Sequence, residues 1–212
     1  QAVRTYFYEE VFPVLTPLAV DHAHPFPFIS NLSLNLAVSL KRQDDERGEM
    51  EFVRLKIPDM IPRLVNVNRV LQKYGGNPSL DSITLVWLED VIGANLDLLF
   101  PGMTIIDHSP FRVTRNADID FEHEQEETEE SISEIVQESL RERRFGSVVR
   151  LSVPEEVSKR ILSRLISHLG VDSKRDVYLV NGALGGASLM ELAGLDLPDL
   201  KYPPHIPRVP AG

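Results

Sequence analysis

The sequence predicts an α+β fold: a mixed, largely antiparallel sheet packed with helices in a single domain. Residues 32–41 alternate apolar and polar side chains, which is the pattern of a strand with one buried face. Other segments repeat apolar side chains at helical spacing, and short strand-like runs separate them. With 212 residues, the chain is long enough to bury one hydrophobic core without covalent cross-links.

The first quarter of the chain predicts a helix, an extended stretch and a hairpin. Apolar side chains share one face of a helix over residues 1–12, and Pro13 ends it. The run HPFPF at residues 24–28 excludes regular structure, because each proline lacks a backbone donor and restricts its predecessor. A charged loop joins the strand over residues 32–41 to a second strand at 52–57, so we expect the two to pair.

The middle of the chain predicts a strand, a helix and a second strand. A strand over residues 83–88 leads into a helix with apolar side chains at helical spacing as far as Leu99. The Pro-Gly pair at residues 101–102 ends this helix. The following strand, over residues 103–115, is predicted to break at Ser109-Pro110, since proline cannot donate to a ladder.

Residues 118–138 contain ten acidic residues and no lysine or arginine. The acids begin a predicted helix that Arg141, Arg143 and Arg144 end, an arrangement that suits the helix macrodipole. We therefore interpret the excess of acidic residues first as a structural feature that stabilises this helix.

The last third predicts alternating strands and helices. A strand at residues 149–153 is followed by a helix that begins at Pro154 and ends at Gly170. A last strand covers residues 177–180, and the glycine-rich segment 182–186 leads into a short helix. Beyond it the chain is rich in proline, which is typical of a linker.

Composition excludes several classes of function. The chain has no cysteine, which excludes disulfides, thiolate zinc sites and thiol nucleophiles. Its net charge of −10 disfavours nucleic acid as a partner. No apolar run approaches the roughly 20 residues of a spanning helix, and no signal pattern follows Gln1, so a cytoplasmic location is expected.

The histidines give weak candidates for chemistry. His22 and His24 are two positions apart, as a metal pair on a strand would be, but no third ligand lies nearby. A phosphohistidine or serine nucleophile built from His24, His108 or Ser109 would need an orienting base and an anion hole. The sequence does not bring these groups together, and we expect no metal site and no catalytic residue here.

The glycine segment GALGG at residues 182–186 follows a strand and precedes a helix, where backbone amides can bind a phosphate. It matches neither the Walker pattern, which needs a lysine, nor the dinucleotide fingerprint, which has different glycine spacing. A tight turn is therefore the favoured interpretation.

Arginines are dense for an acidic chain, and guanidinium groups bind phosphate through two parallel hydrogen bonds. They are Arg112, Arg115, Arg141, Arg143, Arg144 and Arg150. The three arginines at 141, 143 and 144 are better explained by pairing with acids of their own helix. In a regular strand Arg112 and Arg115 point to opposite faces, unless a bulge intervenes.

Several strings identify a family resemblance. Residues 12–21 (FPVLTPLAVD) and 24–31 (HPFPFISN) resemble the middle, or head, domain of the long polyphosphate kinases. The strings WLEDVI, LLFPG, FRVTRNAD, RRFG and LMEL, which begin at residues 87, 98, 111, 143 and 189, continue the resemblance along the chain. Around Gly182 the chain departs from the family's Gly-Pro-Leu-Asp-like turn.

The resemblance implies a middle domain over residues 1–202 and, over 203–212, a connection toward C-terminal catalytic domains. Such enzymes reversibly transfer the terminal phosphate of ATP to polyphosphate through a phosphohistidine, with Mg²⁺, and form homo-oligomers. Their catalytic residues lie outside this region, so the resemblance implies that this chain alone is inactive. It assigns the region to scaffolding, the wall of the substrate tunnel and dimer contacts, with Arg112 and Arg115 as candidates that face polyphosphate.

Two alternatives from other classes stay open. The acidic surface and the weak catalytic signals suit a free-standing binding or assembly module. A phosphohistidine phosphatase-like enzyme would use His24 or His108.

Overall fold

In a computed structural model, the chain forms a six-stranded sheet with helices on both faces. The structure describes residues 1–21, 25–43, 50–79, 82–116, 146–203, 205 and 207. The predicted α+β class, with a mixed and largely antiparallel sheet in one domain, is confirmed. Within the described residues, no helix is long and apolar enough to cross a bilayer.

The strands are β1 (Leu18–Val20), β2 (Leu34–Arg42), β3 (Met50–Lys56), β4 (Leu64–Asn66), β5 (Leu85–Trp87), β6 (Met103–Arg115), β7 (Val148–Pro154) and β8 (Val177–Val180). The α-helices are α1 (Ala2–Tyr6), α2 (Val67–Tyr74), α3 (Leu88–Gly93), α4 (Leu96–Leu99), α5 (Lys159–Leu169) and α6 (Met190–Ala193). Shorter turns are the π-helical Phe7–Val11 and the 3-10 segments Phe12–Val14, Gly186–Leu189 and Pro198–Leu200.

The main sheet has the order β1-β3-β2-β6-β7-β8, and β4 pairs with β5 in a separate two-stranded sheet. All these pairs are antiparallel except β7 and β8, which run parallel. The predicted hairpin is confirmed, because β2 pairs with β3 and places Val38 opposite Val53.

Both faces of β2, in the middle of the sheet, are buried, so two hydrophobic clusters replace the expected single core. On the first face, Leu36, Val38 and Leu40 pack with helices α1 to α4. On the second face, Ala37 packs in the cluster that α5 covers. The sequence pattern misled because the odd-numbered face of β2 is polar or small and is still buried: Ser39 is 1% exposed.

Two predicted boundaries are wrong. The strand does not break at Ser109-Pro110, since β6 continues through both residues. In the described chain, the part of β6 that pairs with β7 is residues 112–115, so Pro110 lies outside it. Proline is tolerated there because an unpaired strand edge needs no backbone donor. The helix predicted from Pro154 begins at Lys159, because Pro154 extends β7 by pairing with β8 and Ser158 caps the helix.

Other predictions are met with changes in detail. The N-terminal helix over residues 1–12 is present, but α1 is followed by the π-helical segment Phe7–Val11 and the 3-10 segment Phe12–Val14. The helix that ends near Leu99 is split into α3 and α4. Strand β4 and helix α2 were not anticipated. The predicted acidic helix with its arginines, and His22 and His24, lie outside the described residues.

Candidate functional site

A cleft of about 300 Å³ lies where the first face of the sheet meets the turn after β8. Its walls come from the loop before β2, the segment between β3 and β4, strand β6 and the start of the C-terminal segment. The lining residues that carry the argument are Leu32, Arg63, Arg112, Gly185, Ser188 and Glu191. Of the residues singled out in the sequence, the structure places Arg112 and the glycine turn here.

Arg63 ties three parts of the chain together at this cleft. Its Nε lies 3.1 Å from both carboxylate oxygens of Glu89, and Nη2 also donates to that carboxylate. Nη1 donates to the carbonyl oxygens of Leu184 and Gly185 and, at 3.2 Å, to Ser188 Oγ. The side chains of Arg63 and Glu89 are 11% and 6% exposed, so this is a buried ion pair.

Glu191 holds the same C-terminal segment from the opposite direction. Its carboxylate accepts the backbone N–H of Arg63 at 3.2 Å and of Leu64 at 3.0 Å. Leu184 is 2% exposed and is therefore inserted into the protein. The segment that follows β8 is fixed to the body of the domain by charged hydrogen bonds and by one buried apolar side chain.

The glycine segment forms the predicted tight turn. Gly182 and Gly185 have φ values of 104° and 72°, which favour glycine over residues with a Cβ. The turn directs the carbonyl oxygens of Leu184 and Gly185 at the Arg63 guanidinium. It therefore presents acceptors to a cation here, which disfavours a phosphate cradle at this turn.

Arg112 lies on the edge of the cleft with its inner end fixed. Its Nε donates to the carbonyl oxygen of Leu32 at 2.9 Å, and Leu32 has a φ of 61°, an uncommon value for a branched side chain. Burial lowers the pKa of Arg112, and the nearby positive charges of Arg150 and Arg63 lower it further. The structure thus groups Arg112 with Arg63 and Arg150.

Arg115 is engaged with the backbone. Its Nε donates to Ile29 O at 2.8 Å, and Nη1 donates to Gly146 O at 2.7 Å. The guanidinium lies 4.1 Å from the centroid of the Phe28 ring. The β6–β7 register shifts after Thr114, but the skipped residue, Val149, lies on β7, so β6 keeps its alternation and Arg112 and Arg115 point to opposite faces. Arg115 is not among the residues that line the cleft.

The other candidates are not assembled into a catalytic site in the described residues. His108 is exposed and lies against Gly93, whereas the neighbouring Ser109 is 4% exposed. The Ser109 hydroxyl donates to the Pro110 carbonyl at 3.3 Å, and successive strand residues face opposite sides of the sheet. No group of three His, Asp or Glu side chains suited to a metal occurs within the part of the chain that the structure describes.

Sequence reasoning missed Arg63. It lies 26 positions from Glu89 and 121 from Leu184, so no periodic pattern or short motif joins the partners. It listed Arg150 with Arg112 among the dense arginines, but it could not establish that the two share a sheet face, because that depends on the pairing of β6 with β7.

Comparison with known proteins supplies the context for this geometry. The family model described as polyphosphate kinase middle domain matches residues 1–192. A polyphosphate kinase of Prosthecochloris aestuarii is 45% identical over 99% of this chain, and one of Mycolicibacterium gilvum is 44% identical over 98%. A polyphosphate kinase of Mycobacterium tuberculosis is 42% identical over 96% of the chain.

The chain spans 27–28% of the length of these relatives. A crystal structure of the polyphosphate kinase from Porphyromonas gingivalis superposes with a TM-score of 0.65 at 22% identity. That match covers 99% of this chain and 27% of the other, and at this identity it shows the shared fold.

Proposed function

The chain belongs to the polyphosphate kinase middle-domain family, and from this membership we propose that it is the non-catalytic middle domain of a longer polyphosphate kinase. The parent enzyme would transfer the terminal phosphate of ATP reversibly to polyphosphate through a phosphohistidine, with Mg²⁺. The family match over residues 1–192 is the observation that carries this proposal. ATP, Mg²⁺ and the phosphorylated histidine would belong to the remaining domains of the same polypeptide.

The local geometry supports a scaffolding role. A hydrophobic cluster packs against each face of the sheet, and Arg63 and Glu191 fix the C-terminal segment to β4. Close-packed interiors deform little, so such a body can hold neighbouring domains in a fixed orientation. Dimer contacts of the parent enzyme are proposed from the family resemblance alone.

We further propose that Arg112 faces the phosphate chain as part of the tunnel wall. Its Nε is held by Leu32, and its pKa, although lowered, stays that of a guanidinium that is cationic at neutral pH. Arg115 remains a candidate for the same role, but its contacts with Ile29 and Gly146 also give it a structural one.

The test is polyphosphate synthesis from ATP and Mg²⁺, with the full-length parent and the 212-residue chain compared under identical conditions. We expect synthesis by the parent only, since its catalytic residues lie outside this chain. Synthesis by the isolated chain would show that a catalytic centre lies within it and would contradict the proposal. In that event His22, His24 and His108 are the first residues to substitute.

The tunnel role is tested in the parent with Arg112→Ala, Arg115→Ala and the double variant. Arg160→Ala is the matched control, because Arg160 is an exposed arginine on α5. We expect Arg112→Ala to lower the rate or to raise the KM for polyphosphate, with the control unchanged. Wild-type synthesis by the double variant would remove both arginines from the tunnel wall.

A further inference from the structure

Arg54 is a buried cation on the second face of the sheet. It lies on β3 and is 7% exposed. It pairs with Leu18 on the outer strand β1 and with Ala37 on β2. Directly paired residues of antiparallel strands point to the same face, so Arg54 shares its face with Ala37, which packs in the cluster that α5 covers. A charged side chain is almost never buried to this extent without a partner of opposite charge.

The contacts of Arg54 leave this charge without compensation. Its Nε donates to Asn35 Oδ1 at 2.8 Å, and the Asn35 amide nitrogen donates to the carbonyl oxygen and the hydroxyl of Ser33. These bonds orient a neutral amide oxygen toward Arg54. None of the ion pairs among the described residues includes Arg54. Burial lowers the pKa of Arg54, and within the described chain no neighbouring carboxylate opposes that shift.

The outer nitrogens of Arg54 are free and reach the surface. Neither Nη1 nor Nη2 donates a hydrogen bond to a described residue. In the same part of the chain, the buried side-chain atom that lacks a partner is Ser39 Oγ, so the Nη atoms of Arg54 are not enclosed. Because Nε is occupied, Nη1 and Nη2 are the donors left for a ligand. Two parallel N–H groups on a planar guanidinium match the two oxygens of one carboxylate.

The surroundings of Arg54 favour a polypeptide segment as the source of this carboxylate. Strand β1 is the edge of the sheet, and Leu18, beside Arg54, is 42% exposed. Covering a strand edge with another segment is one way in which natural proteins protect it. A segment that also covers Leu18 gains apolar burial that a small carboxylate does not. The chain spans 27–28% of the length of its relatives, so most of the proposed parent polypeptide is available to supply such a segment.

We propose that Arg54 is the docking point for an aspartate or glutamate side chain from another segment of the same parent polypeptide. The carboxylate accepts from Nη1 and Nη2, and the segment covers the sheet edge at Leu18. The location of the partner outside the 212 residues rests on the proposed function, whereas the carboxylate site at Arg54 does not. Arg54 is then unpaired in the isolated chain and paired in the parent, so its substitution has opposite effects in the two proteins.

The first experiment compares Arg54→Met in the 212-residue chain and in the parent. In the chain, methionine removes a buried charge that has no counter-charge, so we expect the melting temperature to stay equal or to rise by about 2–4 °C. In the parent, the same change leaves the partner carboxylate without its cation. We expect thermolysin to cleave the parent between its domains at least about tenfold faster, because proteolysis follows the population of the open form.

Arg160→Met is the matched control, because it removes the same residue type and charge from an exposed position on α5. It should change neither the melting temperature nor the rate of cleavage. A lower melting temperature of the Arg54→Met chain would show that Arg54 is already paired within it and would overturn the proposal. Wild-type cleavage of the Arg54→Met parent would do the same. Circular dichroism checks folding, and Arg54→Gln, which also lacks the charge, replaces Arg54→Met if that variant does not fold.

Formate serves as a stand-in for the partner carboxylate in the second experiment. We expect sodium formate, compared with sodium chloride at equal ionic strength, to raise the melting temperature of the wild-type chain by about 1 °C when its concentration equals its dissociation constant. The rise should persist in Arg160→Met and be absent in Arg54→Met. An equal rise in Arg54→Met would show a general salt effect and overturn the site. A rise that depends on Arg54 but is larger with phosphate would overturn the assignment to a carboxylate.

The two experiments also separate the sources of the carboxylate and the two proposals. A formate effect that depends on Arg54, combined with wild-type cleavage of the Arg54→Met parent, indicates a free carboxylate ligand and overturns the docked segment. A parent that makes polyphosphate but is cleaved at the wild-type rate as Arg54→Met rejects the docking and leaves the function. A parent that makes no polyphosphate but is cleaved faster as Arg54→Met rejects the function and leaves the docking.

Discussion

Removing Glu89 tests how strongly the Arg63 contacts hold the domain together. The side chains of this ion pair are 11% and 6% exposed, and the carboxylate accepts from both Nε and Nη2 of Arg63. Removing one partner of a buried ion pair costs about 3–5 kcal/mol, because the remaining charge stays buried without compensation. Since Arg63 keeps acceptors on Leu184, Gly185 and Ser188, we expect Glu89→Leu to cost about 3 kcal/mol.

The assay is urea unfolding followed by the fluorescence of Trp87, the single tryptophan, whose ring centroid lies 4.7 Å from the Arg63 guanidinium. The control is Asp59→Asn, which removes a surface ion pair with Lys56 whose side chains are 38% and 74% exposed. Such exposed pairs contribute about 0–1 kcal/mol.

A double variant tests the physical reason. Arg63→Met combined with Glu89→Leu leaves no buried charge, so it should be less destabilised than the sum of its single variants, by about 1–3 kcal/mol. If Glu89→Leu is no less stable than Asp59→Asn, or if the two single losses simply add, then the buried ion pair does not hold the C-terminal segment.

Two further predictions concern the turn and the N-terminal helix. Gly185→Ala should lower the stability measured by thermal unfolding by about 1–2 kcal/mol, because a φ of 72° is strained for alanine. The control is Gly186→Ala, which should change stability little because a Cβ at this position meets open space. Equal losses in the two variants would contradict this reasoning. The hydrogen bond from Lys73 holds the pKa of Glu10 below its usual value. Glu10 therefore stabilises the fold at pH values above its unfolded-state pKa, and this stabilisation is lost as the pH falls through the folded-state pKa. Glu10→Gln should therefore be less stable at neutral pH by under about 1 kcal/mol, and the difference should vanish in acid; a difference that persists there would refute it.

The elements with strong local signals could be predicted from the sequence. The alternating side chains of β2 and the helical spacing of α5 were recognised because burial of one face imposes a period on the chain. The second buried face of β2 was not recognised, because Asn35 and Ser39 are polar and are buried only through packing with other segments. The helix start at Lys159 was misplaced, since β7 continues through Pro154 only because β8 pairs with it.

The sequence by itself determined the α+β class, the hairpin, the tight glycine turn and the family, because each depends on residues close together in the chain or on long specific strings. It also identified Arg112 as a candidate, from its charge against an acidic background. Only the tertiary structure decided which cations meet. Arg63 reaches a turn 121 residues away, and strand pairing puts Arg150 beside Arg112 while Arg115 is turned to the backbone. Contacts between distant segments depend on register and packing, which leave no period in the sequence.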